Sequence, residues 1–62
     1  MNGIQFYKFG EALKAKELGY KLTEIIVSTE SEISHKYQNQ DAVAVPSATT
    51  LDGKTEYGIF KK

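Results

Sequence analysis

Hydrophobic positions in this chain recur first at helical spacing and then at strand spacing. Phe6, Phe9 and Leu13 stand at i, i+3 and i+7, which places them on one face of a helix. Every residue from 11 to 18 is a strong helix former with little rotamer freedom to lose. Gly19 follows directly and suits the left-handed residue that ends a helix, with Tyr20 placed to fold back over Leu13 and Phe9. The pattern predicts a helix over residues 6–18. Gly10 lies inside it, at a cost of about 1 kcal/mol relative to Ala. Ile4, Tyr7, Ala15 and Leu18 make a second apolar stripe nearly opposite the first, so this helix needs cover on both sides or offers one side as a contact surface. Residues 3–9 also suit a strand, since Ile, Phe and Tyr favour strands, and the helix would then start at Gly10.

Beyond Leu22 the period changes. Residues 23–28 are rich in β-branched side chains and form the strongest strand. From Ile25 to Tyr37 alternate positions are apolar at both ends, while the intervening positions after Ile26 are charged or hydroxylated. Two strands fit, about 23–29 and 32–38, with a turn or bulge near Thr29 to Ser31, and so does one long bent strand. A short helix also fits: Thr29 and Glu32 have capping-box spacing, and Ile33 and Tyr37 are four apart. Residues 38–41 are polar and turn-like, and Ala42, Val43, Ala44 and Val45 form a short strand ended by Pro46, which marks an edge or a bulge. Asp52 and Gly53 signal a type I′ turn, and residues 54–61 close as a final strand.

Pairing across that turn sets Thr49 opposite Glu56, Ala48 opposite Tyr57 and Val45 opposite Phe60. The last two pairs fall on opposite faces unless the register shifts, and Pro46 or Gly58 is where a bulge would do it. The fold expected is α+β: one N-terminal helix packed on a three- to four-stranded antiparallel sheet, in a single domain over residues 1–62.

Composition narrows the function more than it names it. A chain of 62 residues buries only about 60% of its unfolded surface, which leaves stability marginal. With no Cys and a single His, a disulfide or a zinc site is not available, so self-association is the remaining remedy beside a well-packed monomer. Ile, Leu, Val and Phe make up 15 of the 62 residues, more than disordered chains carry. Net charge is zero, but residues 1–21 carry +2, residues 22–52 carry −4 and residues 53–62 carry +2. That asymmetry fits complementarity within one copy, or head-to-tail or two-fold contacts between copies. Every basic residue other than His35 is Lys, and Arg, which dominates phosphate and base recognition, is absent; a nucleic-acid partner is not expected. No apolar run is long enough to span a membrane and no leader is evident, so the expected location is a reducing cytoplasm, that of a host if the chain is phage-encoded.

Candidate chemistry is thin. His35, near Ser31, Ser34, Glu30 and Glu32, lacks the scaffold a hydrolytic triad needs. Glu30 and Glu32, two apart on a strand, would share one side as a solvated acidic face and a docking surface for a basic partner. Phe6, Phe9 and Phe60 suit the core, whereas Tyr7, Tyr37 and Tyr57 are better placed for an interface, having an apolar body and a polar tip. The five glycines are scattered and form no phosphate loop. A local likeness covers about a fifth of the chain: Phe9, Gly10, Glu11, Ala12 and Leu13, followed by Gly19 and a strand, resemble the opening of some small phage proteins that sequester host defence signals. The aromatic motif expected after that helix is missing, since the chain has no Trp and no Arg.

The function expected is that of a small non-enzymatic protein-interaction module, a phage or mobile-element accessory protein acting on a host protein or on itself, with a homodimer as one form. The alternatives are a nucleic-acid-associated domain using the Lys-bearing last strand with Tyr57 and Phe60, and a small-ligand binder whose site forms between subunits. No cofactor is expected. Candidate interface residues are Ile4, Tyr7, Leu18, Glu30, Glu32, Tyr37 and Tyr57.

Overall fold

An uninterrupted apolar run such as Ala42 to Val45 cannot turn one face to water, so it is suited to a strand covered on both sides. The computed structural model describes residues 3–62 and builds the fold on that run. The elements are β1 (Gly3–Phe6), α1 (Ala12–Glu17), β2 (Lys21–Ser28), α2 (Glu30–Lys36), β3 (Asp41–Thr49) and β4 (Thr55–Lys61). They form one four-stranded sheet in the order β1-β3-β4-β2. β3 and β4 are the inner strands, and residues 42–46 and 57–60 are buried.

β1 pairs parallel with β3, while β4 runs antiparallel to both β3 and β2. The sheet is therefore mixed, and the expectation of a purely antiparallel one is corrected. β1, β2 and β3 all point the same way. The chain crosses from one edge to the other through α1 and returns through α2, and right-handed crossovers taken in opposite directions put their helices on opposite faces. The core divides accordingly. α2 contributes Ile33 and Tyr37 to a cluster with Ala44, Tyr57 and Ile59, against which Ile4, Phe6 and Ile26 pack. α1 contributes Ala15 to a cluster with Val43, Val45 and Phe60, joined by Tyr7, Ala12 and Tyr20.

The single N-terminal helix over residues 6–18 is the second correction. Residues 3–6 form a strand, and only Ala12–Glu17 is helical. Ile4 and Phe6 line up beside Ala42 and Ala44, where a strand completes the sheet and buries them. Gly10 takes φ +81°, in the left-handed region, and breaks the helix that the sequence would otherwise extend. The strand alternative for the N-terminal residues holds, though the strand ends at Phe6 and the helix begins two residues after Gly10. The end of α1 is as expected. Gly19 takes φ +94°, its N–H reaches the Lys16 carbonyl (3.0 Å) and the Tyr20 N–H reaches the Ala15 carbonyl (3.0 Å), the two bonds of a Schellman motif. Tyr20 then packs into the α1 core, while Phe9 and Leu13 stay exposed.

The stretch after β2 is helical rather than a second strand. Thr29 accepts from the Glu32 N–H at 3.2 Å, and the Glu32 carboxylate accepts from the Thr29 N–H at 3.3 Å, so the capping box is complete. At the hairpin, β3 runs through Pro46 to Thr49, and the loop spans residues 50–54 rather than two residues. Thr49 faces Thr55 and Ala48 faces Glu56, one residue out of the expected register. The register then shifts between Pro46 and Ala48, where a bulge was anticipated. Pro46 is tolerated inside the sheet because β1 stops alongside Ala44, leaving no strand on that side to receive an N–H.

Candidate functional site

β2 is an edge strand, and its sequence is too apolar for one. Ile25, Ile26 and Val27 are consecutive, so the strand presents apolar side chains to both faces of the sheet. Ile26, opposite Tyr57, turns toward α2 and is partly covered. Leu22, Ile25 and Val27 are opposite Phe60, Gly58 and Glu56, on the face that carries α1. With only six residues, α1 covers Val43, Val45 and Phe60 and does not cover β2. Leu22, Ile25 and Val27 are consequently 50%, 58% and 49% exposed. Leu22 lies over Gly58, where an added Cβ would meet Leu22 Cδ1 at 3.3 Å. A bulge interrupts the strand between Leu22 and Glu24, and the extra residue, Thr23, turns its hydroxyl inward to the Ile59 carbonyl at 2.9 Å. Among the described residues no strand lies beside the outer edge of β2.

Charge is divided along the same strand. At the start of β2, Lys21 stands directly opposite Lys61, and the Lys36 and Lys61 ammonium groups lie 5.5 and 5.3 Å from the Tyr37 ring. At its other end, Ser28 donates to the Glu32 carboxylate at 2.7 Å, and Glu30 lies on the same first turn of α2. These hydrogen bonds from Ser28 and Thr29 hold the Glu32 carboxyl below the ordinary carboxylate range. Lys54 is the basic group that bears on it. In the hairpin loop, Asp52 accepts from Thr50 and is likewise held low.

The residues singled out from the sequence do not come together. Tyr37 and Tyr57 are 2% and 8% exposed and belong to the core under α2, which removes them from the surface of the protomer. The Tyr37 hydroxyl donates to the Glu24 carboxylate, and Tyr57 meets Phe6 edge-on at 5.8 Å between centroids. Ile4 and Tyr7 lie on opposite faces of the sheet, each partly buried, and the Lys14 ammonium sits 5.1 Å from the Tyr7 ring. Their common stripe with Ala15 and Leu18 therefore dissolves; Ala15 is buried and Leu18 is exposed. Glu30 and Glu32 are exposed on α2, but the Glu32 carboxylate is engaged in the cap and the pair does not converge. His35 is exposed on the same helix, away from any assembled nucleophile.

The β2 patch is the feature that sequence reasoning missed. Its signal was present: three consecutive apolar residues require cover on both faces, and the strong formers before Gly19 supply a helix too short to give it. Among the described residues no pocket opens, no three His, Cys, Asp or Glu side chains converge as metal ligands do, and no helix is long and apolar enough to cross a membrane. Comparison with known proteins returns no matching family model, no matching curated protein and no matching solved structure.

Proposed function

We propose that this chain is a small protein-interaction module that acts by binding rather than by catalysis, through the outer edge and uncovered face of β2. One observation carries the proposal: Leu22, Ile25 and Val27 stay about half exposed in a row on a strand whose edge is open. An apolar row beside unpaired backbone donors and acceptors is what strand addition uses, the main chain giving affinity and alternate side chains giving selectivity. The likeness of residues 9–13 to small phage proteins supplies the setting, a phage or mobile-element accessory factor acting on a host protein or on itself. Nucleic acid is the weaker choice, since Tyr57 and Phe60, the aromatics available for stacking on the Lys-bearing last strand, are buried.

The test is retention on the immobilised full chain, offered both host lysate and the chain itself. The wild type retains a protein, and Ile25→Lys, a change at an exposed position, loses it while keeping the same circular dichroism spectrum. Retention of no protein, self or foreign, would count decisively against binding as the function.

A further inference from the structure

We propose that the partner of the β2 edge is a second copy of this chain, paired antiparallel about a two-fold axis at Ile25, so that two four-stranded sheets become one of eight strands. This rests on the interaction-module proposal and names its partner. A two-fold contact joins the same patch on both copies, so the patch must complement itself. β2 does so in one register. Counting the ladder as β4 reads it, with Thr23 left out as the bulged residue, a centre at Ile25 sets Leu22 opposite Val27 of the second copy and Ile25 opposite its own mate. Glu24 then faces Ile26, and Lys21 faces Ser28. All apolar side chains of the α1-bearing face are matched with apolar ones, and no like charges oppose. A centre at Glu24 would place two carboxylates opposite each other, and a centre at Ile26 would leave Lys21 and Leu22 without partners.

Charge complementarity favours a second copy over an arbitrary strand. Antiparallel pairing brings the Lys21 and Lys61 end of one β2 beside the Ser28 end of the other. There the Ser28 hydroxyl already holds the Glu32 carboxylate, and Glu30 lies on the same turn. The contact occurs twice, once at each end of the seam. Devices that block edge pairing are confined to the first half of β2, namely Lys21, the bulge at Thr23 and the charged Glu24; Ile25 to Ser28 carries no charge and no Pro. The pairing also brings the two rows of Leu22, Ile25 and Val27 side by side, where each shields part of the other.

Sedimentation equilibrium on the full chain, from about 10 μM to 1 mM at low and high salt, reads the association directly. A seam of one strand pair lies at the small, weak end of protein interfaces, which predicts a reversible dimer with Kd on the order of micromolar or weaker. Ile25→Lys weakens it at least tenfold, because it places two ammonium groups face to face on the axis. Lys21→Glu weakens it about two- to fivefold, as expected for exposed charge pairs, and removes the loss of affinity that the wild type shows on adding salt. Amide hydrogen exchange supplies a readout independent of any variant: outward-facing amides of β2 slow as concentration rises, and those of β1 do not. A wild type that is monomeric throughout, or a dimer indifferent to Ile25→Lys, overturns self-pairing. If the monomeric wild type still retains a foreign protein and Ile25→Lys loses it, self-pairing fails while the interaction module stands; if nothing is retained, both fail.

Discussion

Thr29 shares three hydrogen bonds with Glu32, and they decide the structure of the segment that follows. The Glu32 N–H donates to the Thr29 hydroxyl at 3.2 Å, and the Glu32 carboxylate accepts from both the N–H and the hydroxyl of Thr29 at 3.3 Å. Ile33 and Tyr37 share a face whether the period is two or 3.6, since they are four apart, so apolar spacing alone left strand and helix open. The cap spacing of Thr29 and Glu32 was the residue-scale signal that separated them. Thr29→Ala is expected to lower stability by about 1 kcal/mol in urea unfolding. A pH series tests the carboxylate. The hydrogen bonds hold the folded pKa of Glu32 below its ordinary 4.5, so its contribution is complete above that pH and is lost as pH falls through the lower folded value. Glu32→Gln therefore flattens stability against pH in the window just below 4.5. Part of the slope remains in the variant, because Asp52 is also depressed, below its ordinary 3.8. An unchanged slope in Glu32→Gln would show that this cap carries no titrating contribution.

At the scale of elements, α1 explains both what was legible and what was not. Its end was written in Gly19, because a left-handed residue after a run of helix formers has few uses besides the Schellman closure that forms there. Its start was obscured by coincidence. Phe6, Phe9 and Leu13 have helical spacing, yet Phe6 is in a strand, Phe9 is in a turn and Leu13 points outward from the helix. Gly10 was the opposing signal. The pull that decided the matter is tertiary, the place for Ile4 and Phe6 beside β3, and a parallel pairing of residues so far apart in sequence leaves no local trace. The same distance hid the mixed sheet. Gly19→Ala forces a side chain into φ +94° and is expected to cost about 1 kcal/mol or more, with nothing within 4 Å of the new Cβ to confound the result. A melting temperature equal to the wild type's would mean that α1 contributes little to the folded state.

For the whole molecule the question is how so little chain stays folded. At typical values a domain of this length holds only about 3–9 kcal/mol, and α1 leaves the β2 row in water. The strand strength of β2 was plain in the sequence, but its place at the edge of the sheet was not, because strand order follows from two crossovers running in opposite directions rather than from any single segment. If the edge is closed by a second copy, folding and association are linked, and where the dimer predominates stability must depend on protein concentration. Each tenfold rise in concentration then adds about 1.4 kcal/mol per dimer, or about 0.7 kcal/mol per chain. For a domain of this size that raises the melting temperature by roughly 3–6 °C. The wild type should show this rise between about 10 μM and 1 mM, and Ile25→Lys, with its weaker association, should melt below the wild type at every concentration in that range. A wild-type melting temperature that does not move across that range would mean that the two cores of the monomer suffice and that the exposed row on β2 contributes nothing to folding.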